Sequence, residues 1–158
     1  TRKITRGLSR IQKGLEKTLF IGNLNSLRDW GHAKDYIKMQ WLMLQQKKPK
    51  DYVIATGKQI SVREFINFSA EFLGWGGIKW VGTGLEEIGI RKDNNEVVIR
   101  VDKRYFRPSE VSSLLGDASK AKEELGWEPT IKIKELISEM ISKDLKICET
   151  EKMISGII

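Results

Sequence analysis

Apolar residues recur at helical spacing along the first 17 residues of the chain. The apolar positions are Ile4, Leu8, Ile11 and Leu15. A second stripe of the same periodicity is basic and consists of Arg2, Arg6, Arg10, Lys13 and Lys17. This pattern predicts an amphipathic helix that packs one face into a core and turns its basic face to solvent.

Short apolar runs that end at glycine or turn residues predict the strands. Such runs occur at residues 19–23 (LFIGN), 51–57 (DYVIATG) and 78–81. Residues 88–102 alternate between apolar and polar positions, which indicates a hairpin that turns at 93–95. We read the many glycines between 74 and 84 as turns, because they lack the strand-to-helix frame of a dinucleotide-binding loop.

Cap residues place the helices that follow the first one. Asp29 is the expected N-cap of a helix covering the following residues to about 45, and Ser61 with Glu64 forms an S-x-x-E capping box for the next. Asp117 caps a further helix, which Gly126 stops. The last predicted helix carries the apolar residues Leu136, Met140, Ile141 and Leu145, and beyond Glu149 we expect the chain to fray.

Helices and strands thus alternate along the chain, and one pair of strands forms a hairpin. This order predicts the α/β class with a mixed, partial sheet rather than a purely parallel one. A chain of 158 residues is long enough for one domain with its own core.

The formal charge of +7 favours an anionic partner, such as a phosphorylated metabolite, nucleic acid or an acidic membrane surface. No apolar run approaches the roughly 18 residues of a membrane span, and no secretory signal is evident, so we expect no membrane partner. The single cysteine, Cys148, excludes an internal disulfide and fits the reducing cytoplasm. One cysteine and one histidine, His32, cannot form a Cys/His zinc cluster.

The motifs of several enzyme classes are missing from the sequence. There is no G-x-x-x-x-G-K-[ST] phosphate loop and no G-x-S-x-G nucleophile elbow. Four residues after each tyrosine lie Gln40, Thr56 and Ser109, so no Tyr-x-x-x-Lys pair exists. We therefore predict no catalytic, cofactor-binding or metal-binding residue in this chain.

Arginines do occur at unusual places. Arg107 precedes Pro108 in YFRPSEV, and a residue before proline is pushed out of helical geometry. Since proline suits the first turn of a helix, we expect Arg107 just outside a helix N-terminus, facing an anion. Arg28 lies in a loop before a predicted helix, and Lys3 lies off the basic stripe.

Spacing alone leaves two interpretations of these arginines open. Their planar guanidinium groups suit bidentate contacts with a diphosphate. Equally, Arg28 could form a structural ion pair with Asp29 or Asp35, and Arg107 with Glu110.

Four stretches of the chain resemble the GDP-mannose 4,6-dehydratases, a family of extended short-chain dehydrogenases/reductases. They are TRKIT (1–5), IGNLNSLRDWGHAKDYIKMQWLMLQ (21–45), VDKRYFRPSEVSSLLGD (101–117) and SKAKEELGWEPTI (119–131). The resemblance implies that residues 1–149 are the carboxyl-terminal, sugar-nucleotide-binding part of such an enzyme. Residues 32–57 would return to its Rossmann sheet, residues 150–158 would form a tail, and the NADP-binding half with its catalytic residues would lie outside this sequence.

The resemblance also assigns roles to four residues. Lys3, Arg28, Arg107 and Glu110 match family positions that contact the nucleotide, with Arg107 facing the diphosphate and Glu110 a ribose hydroxyl. The implied reaction converts GDP-mannose to GDP-4-dehydro-6-deoxy-mannose, a precursor of GDP-fucose, with NADP as cofactor. The complete enzyme would be a homo-oligomer, and this chain alone would be inactive.

Two other interpretations remain at this point. The basic first helix and five tryptophans could belong to a module that binds nucleic acid or an anionic surface, although the aromatic residues do not form a stacking platform. The chain could also be a remnant that cannot fold without the rest of the enzyme.

Overall fold

The computed structural model of the chain describes residues 1–111 and 113–155. The helices are α1 (Arg2–Gln12), α2 (Ala33–Leu44), α3 (Val62–Phe72), α4 (Ser119–Leu125) and α5 (Ile133–Ser155). The strands are β1 (Leu19–Ile21), β2 (Leu27–Arg28), β3 (Ile60–Ser61), β4 (Ile78–Val81), β5 (Ile88–Arg91), β6 (Val97–Val101) and β7 (Ser113–Leu114). A short 3-10 helix spans Gly84–Glu86.

The strands form two small sheets. The larger has the order β1-β6-β5-β4, in which β1 runs parallel to β6 and the other pairs are antiparallel. The smaller has the order β3-β2-β7, in which β2 is antiparallel to β3 and parallel to β7. The predicted mixed α/β class is therefore confirmed.

The main core lies where α1, α3 and α5 cover the larger sheet. Leu8 of α1, Phe65 and Ile66 of α3, Ile99 of β6 and Ile141 of α5 are all fully buried there. Burying a side chain of this size stabilises the fold by about 1.5–3 kcal/mol. Because these residues come from distant parts of the sequence, the core ties the whole length of the chain together.

Most of the locally encoded features agree with the sequence predictions. Ser61 accepts a hydrogen bond from the Glu64 N–H and Glu64 accepts one from the Ser61 N–H, which completes the capping box of α3. The hairpin of β5 and β6 turns through Asn95, whose φ of 62° is left-handed, and Gly126 ends α4 with a φ of 63°. The prediction that Asp117 caps α4 is wrong by one residue, since the N-cap is Ala118, although the Asp117 carboxylate accepts hydrogen bonds from the N–H and hydroxyl of Ser119.

The basic face of α1 is not simply turned to solvent as predicted, because it pairs with carboxylates of α5. The pairs are Arg2 with Asp144, Arg6 and Arg10 with Glu151, and Lys13 with Glu149. The expectation that the chain frays beyond residue 149 is also wrong, since α5 continues to Ser155. Residues 156–158 of the predicted tail lie outside the described residues.

Two predictions about the region before α3 are wrong. The N-cap of α2 is His32, whose Nδ1 accepts a hydrogen bond from the Lys34 N–H, and not Asp29. The Asp29 carboxylate instead accepts hydrogen bonds from the N–H groups of Thr56 and Gly57. The run at 51–57 is consequently irregular chain held by a side chain, and within the described residues no strand pairs with it.

Helix α2 leaves an apolar face exposed. Its inner side packs through the fully buried Met39 against Ala121 and Trp127. On the opposite side Ile37, Trp41 and Leu44 are exposed, and Trp41 keeps 59% of its surface accessible. An apolar patch of this kind on one helix face is typical of a surface that another protein segment covers.

The carboxylate of Asp35 ties α2 to the segment before α5. It accepts hydrogen bonds from the Thr130 N–H (3.0 Å), the Thr130 hydroxyl (2.8 Å) and the Ile131 N–H (2.9 Å). Burial alone would raise the pKa of this carboxyl, but these hydrogen bonds outweigh burial and lower the pKa below its ordinary value of 3.8. The charged form of Asp35 therefore stabilises the fold.

We expect Asp35→Asn to lower the free energy of unfolding by about 2–4 kcal/mol at pH 7, because the amide cannot accept all three hydrogen bonds. Since the folded-state pKa is depressed, the contribution of Asp35 is complete above about pH 5 and declines as the pH falls through the folded pKa. Urea unfolding of both proteins between about pH 7 and pH 3 measures this difference.

The exposed carboxylate of Asp51 provides the control, and Asp51→Asn is expected to leave the unfolding free energy unchanged. A difference between wild type and Asp35→Asn that stays constant as the pH falls would contradict the assignment. A cooperative transition of the wild type would in addition show that the chain folds alone.

Candidate functional site

The predicted site residues lie where two chain segments run side by side. β1 pairs with β6 in parallel, with Ile21 opposite Val101, so both strands end at the same edge of the larger sheet. The pairing continues beyond the strands, since the N–H of Asp102 donates to the Ile21 carbonyl at 2.9 Å. This edge carries the loop at 22–26 and the segment that leads to Arg107.

Arg107 is held by its backbone and not by its side chain. The Arg107 N–H donates to Oδ1 of Asn23 at 2.8 Å, and Nδ2 of Asn23 donates to the Arg107 carbonyl at 2.9 Å. The guanidinium is 78% exposed, and its closest carboxylate oxygen is Oε2 of Glu110 at 4.0 Å. Arg107 therefore presents a positive charge to solvent from a fixed point of the backbone.

The helix that we predicted after Pro108 does not form. Pro108 and Ser109 lie in a turn, the Glu110 N–H donates to the Arg107 carbonyl, and the chain then enters β7. The hydrogen bonds to Asn23 and the pairing of β7 with β2 explain this outcome, because both draw the backbone into extended geometry. Among residues 1–111 and 113–155, no helix therefore begins beside Arg107.

Arg28 lies at the end of β2 and reaches across to the segment before β7. Its Nη1 donates to the carbonyls of Leu27 (2.7 Å) and Val111 (3.0 Å), and its Nη2 donates to Oε1 of Glu110. The side chain of Arg28 is only 21% exposed. Neither Asp29 nor Asp35 is its partner, so the alternative ion pairs suggested by sequence spacing are wrong for Arg28.

Glu110 consequently lies between two arginines. It pairs with Arg28 through Oε1 and is 4.0 Å from Arg107 through Oε2. Two guanidinium groups and one carboxylate leave a net positive charge, and the carboxylate provides an acceptor next to that charge. This arrangement suits a ligand that combines an anionic group with a hydroxyl.

Lys3 is not part of this cluster and instead contacts Tyr105. Its Nζ is 3.0 Å from the ring centroid of Tyr105, a cation–π contact. Burial lowers the pKa of Lys3, Asp102 opposes that change, and Arg104 adds to it. Hydrogen bonds from Arg104 lower the pKa of Asp102 to about 2, so this carboxylate stays charged.

One cavity lies beside Lys3, and another lies away from all four predicted site residues. Lys3 and Tyr105 line an open, basic depression of about 700 Å³ together with Arg2, Arg6 and Arg10. A second cavity of about 760 Å³ lies next to residues that include Trp30, Ile60 and Pro129 and contains none of the four predicted site residues. Cavity volume alone therefore does not locate the site.

Two residues that support the site were not predicted. Asn23 holds the Arg107 backbone. Asp29, the residue that follows Arg28, accepts hydrogen bonds from the N–H groups of Thr56 and Gly57. Neither has a local signature, because both act on partners far away in the sequence.

Among residues 1–111 and 113–155, no cluster of three or more metal-ligating side chains exists, and no helix is long and apolar enough to cross a membrane.

Comparison with known proteins gives relatives along almost the whole chain. The family described as GDP-mannose 4,6 dehydratase matches residues 1–140. The GDP-mannose 4,6-dehydratase of Vibrio cholerae is 52% identical over an alignment that covers 98% of this chain and 44% of the relative. That of Yersinia enterocolitica is 54% identical and is likewise covered over 44% of its length. The chain thus spans less than half the length of the curated relatives it matches.

Solved structures show the same fold at low sequence identity. The RMD protein of Pseudomonas aeruginosa, solved with NADPH, has a TM-score of 0.72 at 20% identity, over 92% of this chain and 42% of that one. The dTDP-glucose 4,6-dehydratase of Bacillus anthracis, solved with NAD, has a TM-score of 0.66 at 19% identity, over 92% of this chain and 40% of that one. With the family match and the sequence identities, these similarities show that the chain belongs to the GDP-mannose 4,6-dehydratase family.

Proposed function

We propose that this chain is the GDP-sugar-binding part of an NADP-dependent GDP-mannose 4,6-dehydratase that acts in the cytoplasm. The names of the relatives and the family match over residues 1–140 support the activity. The nicotinamide cofactors in the structural neighbours support the cofactor class. The product would be GDP-4-dehydro-6-deoxy-mannose, a precursor of GDP-fucose.

The cluster of Arg28, Glu110 and Arg107 is the observation that supports nucleotide binding best. Arg107 is the most exposed of the three and has only a distant carboxylate partner, so its guanidinium is the natural contact for the diphosphate. Glu110 accepts a hydrogen bond from a ribose hydroxyl, and Arg28 holds Glu110 in place. Lys3, beside Tyr105, adds positive charge at the edge of the same nucleotide.

The chain contributes binding and not the chemical steps. NADP bound by another part of the enzyme would accept a hydride from C4 and return it at C6, and water would leave across C5 and C6 in between. The described residues near Arg107 contain no acid–base pair for these steps, and the sequence contains no dinucleotide-binding glycine loop. The described residues therefore do not form an NADP site.

A Rossmann half is the partner that we propose for the exposed face of α2. Ile37, Trp41 and Leu44 are exposed there, and the irregular run at 51–57 exposes Val53. We propose that residues 32–57 complete the sheet of that half, that residues 1–149 bind the sugar nucleotide, and that the complete enzyme is a homo-oligomer. The relatives' additional length, more than half of each, is sufficient for such a unit.

Binding of GDP and GDP-mannose is expected to depend on Arg107. A hydrogen bond to a charged group contributes about 1.5–3 kcal/mol, so Arg107→Ala should weaken GDP binding by roughly 10- to 100-fold in calorimetric titration. Arg100→Ala, which removes an exposed arginine of β6 outside the cluster, should leave the affinity unchanged. Equal affinity of wild type and Arg107→Ala would contradict the proposed site.

The purified chain alone is expected to show no dehydratase activity. We expect activity to appear when it is mixed with the amino-terminal portion of the Vibrio cholerae relative that lies outside the match, followed as formation of the 4-dehydro product. Trp41→Glu, which places a charge on the exposed face of α2, should abolish this complementation without unfolding the chain. Turnover by the chain alone would overturn the assignment of the chemistry to another part.

The alternative of a nucleic-acid or anionic-surface module finds less support. The arginines of the α1 stripe already pair with carboxylates of α5, which neutralises much of the face that a polyanion would contact. We expect weak retention of the chain on DNA at about 150 mM salt. Tight retention with a steep log–log dependence on salt would favour the polyanion instead.

A further inference from the structure

Gly22 and Asn23 lie directly beside the backbone of the segment that carries Arg107. Asn23 uses both ends of its amide on one residue, accepting from the Arg107 N–H at 2.8 Å and donating to the Arg107 carbonyl at 2.9 Å. This is the hydrogen-bond pattern that a neighbouring strand would provide. It spans 84 positions of sequence.

Gly22 makes this close approach possible. A Cβ on Gly22 would lie 2.0 Å from the Tyr105 carbonyl oxygen and 2.6 Å from the Tyr105 carbonyl carbon, both of them backbone atoms. Backbone atoms cannot swing aside as the tip of a flexible side chain can. Any larger residue at position 22 would therefore lift the segment that carries Arg107.

Nothing comparable holds the Arg107 side chain. The Arg107 side chain is 78% exposed, and its one ion pair among residues 1–111 and 113–155, with Glu110, is at 4.0 Å. Pro108 removes one backbone donor directly after it. The position of the Arg107 charge relative to Arg28 and Glu110 thus depends on how its backbone is fixed.

We propose that Gly22 and Asn23 are positioning residues for Arg107, which they hold in register with Arg28 and Glu110 for binding the diphosphate. This inference rests on the proposed nucleotide site. Both side-chain hydrogen bonds of Asn23 go to the Arg107 backbone, so we infer that Asn23 acts through Arg107. The loss of either hydrogen bond releases the arginine and leaves the cluster with a misplaced charge.

A double-mutant cycle on GDP binding tests the proposal with the full 158-residue chain. Asn23→Ala is expected to weaken GDP binding about tenfold, because the loss of both hydrogen bonds frees the Arg107 backbone. In the Arg107→Ala background the same change should matter less than about twofold, because the group it positions is gone. Asn23→Asp, which places a carboxylate oxygen against the Arg107 carbonyl, and Gly22→Ala should each reproduce the loss.

Asn25 provides a matched control in the same loop. Its Oδ1 accepts a hydrogen bond from Nη2 of Arg63 at 2.9 Å, a partner outside the cluster, so Asn25→Ala should leave GDP affinity unchanged. Thermal unfolding of each variant shows whether it is folded at the titration temperature. Three variants disturb the position of the same arginine by different changes: Gly22→Ala, Asn23→Asp and Asn23→Ala. If one of them does not fold, the other two still test the proposal.

Each outcome has a distinct meaning. GDP binding by Asn23→Ala equal to wild type overturns the positioning role while the proposed function stands. A loss of equal size with and without Arg107 also overturns it, because Asn23 then acts on the ligand or on the fold in general. Failure of the wild-type chain to bind GDP overturns the proposed nucleotide site and this inference with it.

Discussion

Two parallel strand pairs determine where the candidate site is built. β1 pairs with β6 and β2 pairs with β7, so the segment at 19–28 runs alongside the segment at 97–114 through both sheets. Parallel pairing brings the carboxyl ends of both strands to the same edge, unlike a hairpin, which brings an end next to a beginning. The loop after β1 therefore meets the segment after β6, and Arg28 meets the residues before β7. Without this double register, Arg28 and Glu110, which are 82 positions apart, would not form a pair.

Features that depend on near neighbours could be predicted from the sequence. The capping box of Ser61 and Glu64, the turn at Asn95 and the stop at Gly126 each need only a few adjacent residues, and all were predicted correctly. The same local rules failed where a distant partner competed. Proline favoured a helix after Arg107, but Asn23 and β2 supply hydrogen bonds that hold this segment extended. Tertiary contacts override weak local preferences in this way.

The site itself was predictable only in part. Arg28 and Arg107 stand out because proline, or a loop between predicted elements, removes them from an ordinary solvated helix face. Spacing suggested Glu110 as a partner of Arg107, but it suggested the wrong acidic residues for Arg28, and the nucleotide role of Glu110 came from resemblance alone. Asn23 carries no signal at all, because an asparagine in a loop after a strand is common and its partner lies 84 positions away. Contacts of that range need the sheet register, which short strands of two or three residues specify poorly.

The positive charge of the chain is paired unevenly. The +7 charge suggests a broad field, yet the arginines of α1 face Asp144 and Glu151 on α5. This pairing also explains why α5 continues past Glu149, since its last acidic residues find partners instead of repelling one another. A basic face neutralised at contact distance attracts a polyanion weakly. Arg107 differs because its backbone is fixed while its charge remains exposed, a combination that suits a small anion better than an extended polyanion. The physical case for a nucleotide, over an extended polyanion, rests on that contrast between α1 and Arg107.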